Sequence, residues 1–341
     1  MLRPAYKLTI GGKLVDTTDE PQASTMVDLN VALDVDTPSD SFTFVLGNVG
    51  SFRPAREDEV KVELGYADDG GLTQVMAGKV ASVEPNLTTT RVIGYGGARA
   101  LLGTYVEQTF ESKKAGEIVS DLAGKASVDV ATADDGIKFP FYVVDGRRSV
   151  YEHMRDLAGL CGFDLYLNAD DELVFERFGN GKTVHVLELG KHIIALDVFR
   201  SRARAGKVEA WGESPASSQG EDAASWLTRD FISSHGEAGS GDLLLLERSA
   251  LRTRDAARTA AQAALTEINR RTLRGRVVTI GRPEVKLGDS IRLSGMADDS
   301  LNAIFQVRSV AHRITKLGGF TTAVGFRAIR TDESGISLPG L

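Results

Sequence analysis

Pro283-Glu284-Val285-Lys286-Leu287-Gly288-Asp289-Ser290-Ile291-Arg292-Leu293 decides how the rest of the chain is read. Gly288-Asp289 is a turn signal. After it, Ile291 and Leu293 alternate with Ser290 and Arg292, the pattern of a half-buried strand. Downstream, Ile304 to Ile314 forms a second strand. Phe305, Val307 and then Val310 share its apolar face, and the slip of phase after Val307 predicts a bulge. A third strand, Phe320 to Phe326, follows the Gly318-Gly319 turn. Together they make an antiparallel meander, the core of a small sheet or barrel.

The same meander occurs near the N-terminus. Asp58-Glu59-Val60-Lys61-Val62 stands where Asp289-Ser290-Ile291-Arg292-Leu293 stands later, and Val80-Ala81-Ser82-Val83 matches Val307-Arg308-Ser309-Val310. Thr88 to Gly94 roughly matches Gly319 to Gly325. An internal duplication and two unrelated β segments both fit such short matches.

Between the meanders the period changes. Residues 5 to 100 read as β, with Leu29, Val31, Leu33 and Val35 on one face of a strand and another strand from Ser41 to Leu46. Ser112 then stands as a cap for a helix whose apolar positions are Ala115, Ile118, Val119 and Leu122. Ser149-Val150-Tyr151-Glu152 is a capping box, followed at helical spacing by Met154, Leu157 and Cys161, with Gly162 as the stop. Phe163 to Leu167 and Glu172 to Phe175 form a hairpin. Strand character returns at Val184 to Leu189, Ile193 to Phe199 and Lys207 to Trp211. A stretch rich in Ser, Gly, Ala and Glu runs from Gly212 to Gly241 as an excursion or mobile loop. Thr253 caps a helix from Arg254 to Arg271 whose apolar side is mostly alanine, a face expected to make a tight contact with the second barrel or with a neighbouring chain. The expected organisation is a first β-barrel over 1–104, an inserted α+β domain over 105–182, and a second β-barrel from 183–211 and 272–330. Residues 212–271 supply the excursion and the alanine-rich helix, and 331–341 a loose tail. The fold class is mainly β with an α+β insertion: two related antiparallel β-barrels plus a small α+β domain.

Composition limits function. A chain of 341 residues exceeds one ordinary core, and 42% hydrophobic with 26% charged residues is usual for a soluble protein. The net charge of −7 disfavours a general nucleic-acid binder, which needs a basic surface to displace counterions; no sequence-specific nucleic-acid partner is expected. The single Cys161 excludes an internal disulfide framework. No apolar run approaches the ~20 residues that span a bilayer, and the first residues lack a signal core. Assembly in a reducing cytoplasm is expected.

Motifs with possible chemistry are poorly supported. Gly288-Asp289-Ser290-Ile291 resembles an esterase signature, but its candidate base, His312, lacks the Asp that such a site places a few residues before it. Gly94-Tyr95-Gly96-Gly97-Ala98-Arg99 has Arg99 where a dinucleotide fingerprint needs glycine. His153, His185, His192, His235 and His312 lack metal-pair spacing, and His153 is expected on the exposed side of its helix. Asp134-Asp135, Asp170-Asp171 and Asp298-Asp299 read as solvated turns. No catalytic, cofactor-binding or metal residue is assigned.

Three ordered segments resemble the phage late-control D family, the baseplate hub proteins of contractile tails and injection systems, related to the hub part of type VI secretion spike proteins. They are Gly94 to Leu102, Ser149 to Glu176 with Leu157-Ala158-Gly159-Leu160-Cys161-Gly162-Phe163, and Pro283 to Arg327 with Gly288-Asp289 and Val307 to His312. The resemblance spans residues 5 to 330, without a match for the excursion over 212–250. It implies two barrels per chain and a homotrimeric ring that joins a sixfold tail tube to a threefold spike. The implied partners are a tail tube or tube-initiator protein and a separate trimeric spike protein, with tape measure and baseplate wedge proteins as further neighbours. It implies a place in a virion tail baseplate or injection particle. A tail-associated hydrolase is the alternative. A carbohydrate-binding β module is a third reading, although aromatics make up only 7% and Trp211 and Trp226 lie apart.

Overall fold

The structure, a computed structural model, describes residues 3–17, 25–38, 40–47, 54–68, 71–179, 183–212 and 235–329. The expected tail over 331–341 and most of the expected excursion lie outside these residues. The chain is mainly β, with a few helices gathered in its middle.

The first β unit contains β1 (Pro4–Ile10), β2 (Lys13–Thr17), β3 (Met26–Asp34), β4 (Ser41–Gly47), β5 (Glu59–Tyr66), β6 (Gly71–Pro85) and β7 (Thr89–Tyr95). Alternation makes the strands, since period-2 apolar residues put one face into a core. Leu29 and Val31 of β3, Phe42 and Phe44 of β4, and Val60, Val62 and Leu64 of β5 are all buried. Phe42 and Phe44 stack with ring centres 4.7 Å apart. Gly94 on β7 is required by close packing, because a Cβ there would meet the Phe42 ring at 2.0 Å. The strand order is β3-β4-β7-β6-β5-β1-β2, antiparallel throughout.

The α/β layer comes next: α1 (Ala98–Gly103), β8 (Gln108–Lys114), α2 (Ala115–Lys125), β9 (Val130–Ala133), β10 (Lys138–Val144), α3 (Val150–Cys161), β11 (Asp164–Leu167) and β12 (Leu173–Glu176). The Ser149/Glu152 capping box and the left-handed Gly162 end α3 as its sequence requires. Ser112 is not the cap of α2: it lies within β8 at φ +53°, and Lys114 with Glu117 closes the helix N-terminus instead.

The chain then returns with β13 (Val184–Glu188) and β14 (Ile193–Arg200), leaves again for β15 (Lys207–Trp211), β16 (His235–Gly239), β17 (Leu243–Glu247) and α4 (Arg254–Arg270), and closes with β18 (Leu273–Ile280), β19 (Ser290–Ser294), β20 (Ile304–Thr315) and β21 (Gly319–Ala328). Two sequence expectations need correction here. β15 was expected in the second barrel, but it pairs with β16 and β17 in a separate three-stranded sheet. Part of the expected excursion is therefore ordered β structure. The alanine face of α4 meets α3, β15 and β16 rather than the second barrel. Val208 and Ala210 share a core with Ala257, Ala260 and Ala261 because all are small or flat enough for close layers.

The second β unit has the order β14-β18-β21-β20-β19-β13. Its five strands β14 to β19 repeat the path β3-β4-β7-β6-β5 of the first unit. The sixth differs: β13 runs parallel to β19, whereas β1 runs antiparallel to β5. The repetition extends to details. In β6 the ladder to β7 slips between Val80 and Ser82, and in β20 the ladder to β21 slips between Val307 and Ser309. Ala81 and Arg308 are thus the extra residues of equivalent bulges. Before each meander, an aspartate closes the same turn. Ala55 N–H donates to Asp58 Oδ2 and Lys286 N–H to Asp289 Oδ2. Glu57 and Gly288, each preceding the aspartate, are both left-handed. The third matched pair needs a shift of one residue: Val92 corresponds to Val324, since each lies opposite the first valine after the bulge.

Candidate assembly surface

β20 holds the two units together. One of its sides pairs with β21 along almost its whole length; on the other, Ile304–Gln306 pair with β19 and Ser309–Thr315 with β3. The result is one thirteen-stranded sheet. Val310 lies opposite Leu33, His312 opposite Val31 and Ile314 opposite Leu29, so the junction has a continuous apolar face. On its other face Arg313 donates to Asp28 Oδ2 at 2.7 Å.

The bulge turns Arg308 into a buried polar joint. Its guanidinium donates to Asp164 at the start of β11 and to Asp36 after β3. Burial works against the charge of Arg308, but Asp164 and Asp36 outweigh it and hold the group above the ordinary guanidinium range. Arg327 beside it donates to Glu267 of α4 at 2.6 Å and to Gln306 at 2.8 Å. One network therefore ties both β units to the α/β layer. The phase slip in the sequence revealed the bulge, but not the direction in which its extra residue points.

The residues weighed for catalysis are not brought together. Ser290 is 1% exposed, and its hydroxyl has no hydrogen-bond partner. It lies opposite Gln306, six residues along β20 from His312, or about 20 Å at strand rise. His312 is buried, shares a 3.0 Å hydrogen bond with Thr322 Oγ1, and is pushed down by burial to about 3. Asp289 faces His185 at 2.9 Å. His153, expected to be exposed, is fully buried. The 145–149 loop covers it, with Arg148 Nη2 3.0 Å and the Asp145 carbonyl 3.1 Å from its ring nitrogens. The acidic pairs serve turns and junctions: Asp171 accepts from Gly97 N–H at 2.5 Å, and Asp298 Oδ1 accepts from Ser300 N–H at 3.0 Å. Among the described residues no group of three His, Cys, Asp or Glu side chains is placed to hold a metal, and no helix is long and apolar enough to cross a membrane.

The open edges are distinctive. Among the described residues, β14 pairs with β18 and otherwise makes only a single bridge, from Ile193 to Leu189, yet its sequence is Ile193-Ile194-Ala195-Leu196-Asp197-Val198-Phe199-Arg200. Ile194 is 58% exposed and Phe199 60%. Such an apolar edge, without proline or lysine to guard it, is a template for another strand. A second open edge is the end of β6, where Ser82–Pro85 pair with β7 on one side and with no described strand on the other.

No family model matches the sequence, and no curated protein does. Solved structures do match in fold. The 43 kDa tail protein of prophage MuSo2 from Shewanella oneidensis aligns at a TM-score of 0.72 and 14% identity, over 98% of this chain and 99% of the other. The tail protein from Neisseria meningitidis MC58 aligns at 0.68 and 14% identity, over 95% and 96%. The E. coli c3393 protein, a type VI secretion component with structural similarity to T4 bacteriophage tail proteins gp27 and gp5, aligns at 0.55 and 10% identity, over 98% and 79%. The chain therefore has the fold seen in phage tail proteins along nearly its whole length.

Proposed function

We propose that this protein is a structural tail hub: three copies close a ring of six related β units that connects a sixfold tail tube to a threefold central spike. The β20–β3 junction carries the reading. It joins unit two to unit one inside the chain, and its counterpart by internal repetition would join β6 of unit one to β14 of a second copy. Those are the two open edges just described. Repeated three times, the contact closes a ring with three junctions within chains and three between them.

The repeated bulges fix the register. Counting from them, Ala311 corresponds to Glu84, and counting across the sheet, Ala32 corresponds to Phe199. Ala311 lies opposite Ala32. Glu84 of one copy therefore faces Phe199 of the next. Pro85, which has no N–H, keeps this ladder short.

The fold shared with the tail proteins from Shewanella and Neisseria supports a place in a tail, and the type VI component supports a place in a contractile system. A tail tube or tube-initiator protein and a separate trimeric spike are the main partners, with tape measure and wedge proteins beside them, in a virion baseplate or injection particle. The separation of Ser290 from His312 argues against the hydrolase alternative. The test is mass in solution. A ring elutes at three times 36.6 kDa, and the double variant Ile194→Lys/Phe199→Lys returns it to a monomer. A wild-type monomer at high concentration, or six copies per tail, overturns the proposal.

A further inference from the structure

A cleft of about 550 Å³ lies where α3 and α4 cross above the bulge of β20. The helices touch through small residues: a Cβ on Gly162 would stand 3.0 Å from that of Ala263. Long side chains therefore splay to the side of this contact. The cleft is lined by seven arginines and three carboxylates, and none of its cations is a lysine. The chain as a whole carries a net charge of −7, so the concentration of positive charge is local.

The three carboxylates are taken up by three of the arginines. Asp164 and Asp36 bind Arg308, and Glu267 binds Arg327 and Arg271. Arg270 donates to the Ile329 carbonyl and covers the Phe178 ring. At the mouth, Arg155, Arg177 and Arg258 are exposed, and none of the three forms an ion pair among the described residues. Burial, then the neighbouring arginine cations, push Arg270 and Arg327 below the ordinary guanidinium range. The cleft thus holds more positive charge than its own carboxylates neutralise.

We infer that this arginine cleft is a docking site for an acidic peptide segment of a partner protein, whose aspartate or glutamate carboxylates pair with Arg155, Arg177 and Arg258. Arginine presents a planar fork that grips a carboxylate through two parallel hydrogen bonds. The same fork suits phosphate, but the cleft lacks what a single strand of nucleic acid needs. Among the described residues that line it there is no free stacking platform: Tyr151 is buried, and Phe163 meets Phe175 edge-on with Arg177 over its ring. The inference does not depend on ring closure, because the cleft is complete within one chain.

The experiment measures binding of a fluorescent hexaglutamate peptide to the full chain at low salt, with pyrophosphate and an oligothymidine as parallel probes. The peptide should bind, weaken steeply with salt, and lose at least tenfold in affinity in Arg155→Gln/Arg258→Gln, while the exposed control Arg91→Gln leaves it unchanged. Both positions are solvent-facing, so circular dichroism should confirm an intact fold. No peptide binding, or binding unaltered by the double variant, overturns the proposal. Tighter arginine-dependent binding of pyrophosphate or oligothymidine overturns the carboxylate assignment. Affinity that rises when residues 331–341, which include Asp332 and Glu333, are removed makes the chain's own acidic stretch the occupant and overturns the partner.

Discussion

At the scale of single residues, the two bulges show how one repeated device acquires different roles. Ala81 leaves its bulge bare, whereas Arg308 uses the same extra position to reach Asp164 and Asp36. Arg308→Met should cost about 3–5 kcal/mol in urea unfolding, since Asp164 is 6% exposed and would lose its main counter-charge. A loss below about 1 kcal/mol would show the joint to be dispensable. Ser290→Ala should be neutral or slightly stabilising, because it removes a buried hydroxyl without a partner. It should also leave esterase and cell-wall hydrolase assays blank, as in the wild type; turnover that disappears in this variant with the fold intact would restore the enzyme reading.

Asp40 supplies a pH test at the same scale. Burial raises it to about 7, with the charges of Asp171 and Asp34 adding and the Asp34 N–H opposing. Asp171 is raised by burial to about 6. The folded state then holds a proton that the unfolded chain releases near its ordinary carboxylate value of about 4. Stability from this source is full below that value and is lost as pH rises through about 7. Asp40→Asn should therefore raise the melting temperature relative to wild type more at pH 8 than at pH 5. An equal change at both values would mean that Asp40 is already ionised when folded.

At the scale of elements, local patterns were readable and tertiary choices were not. The strand alternation, the Val307 slip, the Ser149 capping box and the Thr253 cap are all written in neighbouring residues, and the structure places each where the pattern does. The Gly288-Asp289 turn was legible for the same reason. The parallel pairing of β13 with β19 was not, because direction depends on a partner about a hundred residues away. β15 looked like a barrel strand since Val208 and Ala210 alternate, but alternation does not say which core receives them. His153 was misjudged because a loop, not the helix, decides its burial. The alanine face of α4 makes the close contact its composition announces, but with α3, β15 and β16 and not with the second barrel. Ala260 is fully buried, so Ala260→Leu with Ala264→Leu should overpack the contact with β15, β16 and α3 by ~1–3 kcal/mol at the buried site. Unchanged thermal melting would show that the layer has room to spare.

At the scale of the whole molecule, the thirteen-stranded sheet ends in edges that no described strand of the chain covers. An isolated chain would expose the apolar β14 to aggregation, whereas the proposed ring would cover it with a copy of β6 and leave differences between the units for threefold contacts. The arginine joint keeps the α/β layer fixed to the sheet, so the layer follows the sheet and not a flexible linker. The candidate site was only half legible: the matched meanders pointed to the repeated strand path, but the junction pairs β20 with a strand almost three hundred residues earlier. The most direct measurement is cross-linking of Glu84→Cys combined with Phe199→Cys, with Cys161 left in place because it is buried. Opposed residues of antiparallel strands bring their Cα atoms to about 4.5–5.5 Å, within the range of a disulfide. Oxidation should convert the double variant into a covalent trimer on a denaturing gel, with each single variant remaining monomeric there. A native trimer in which the pair stays unlinked would contradict the proposed ring contact.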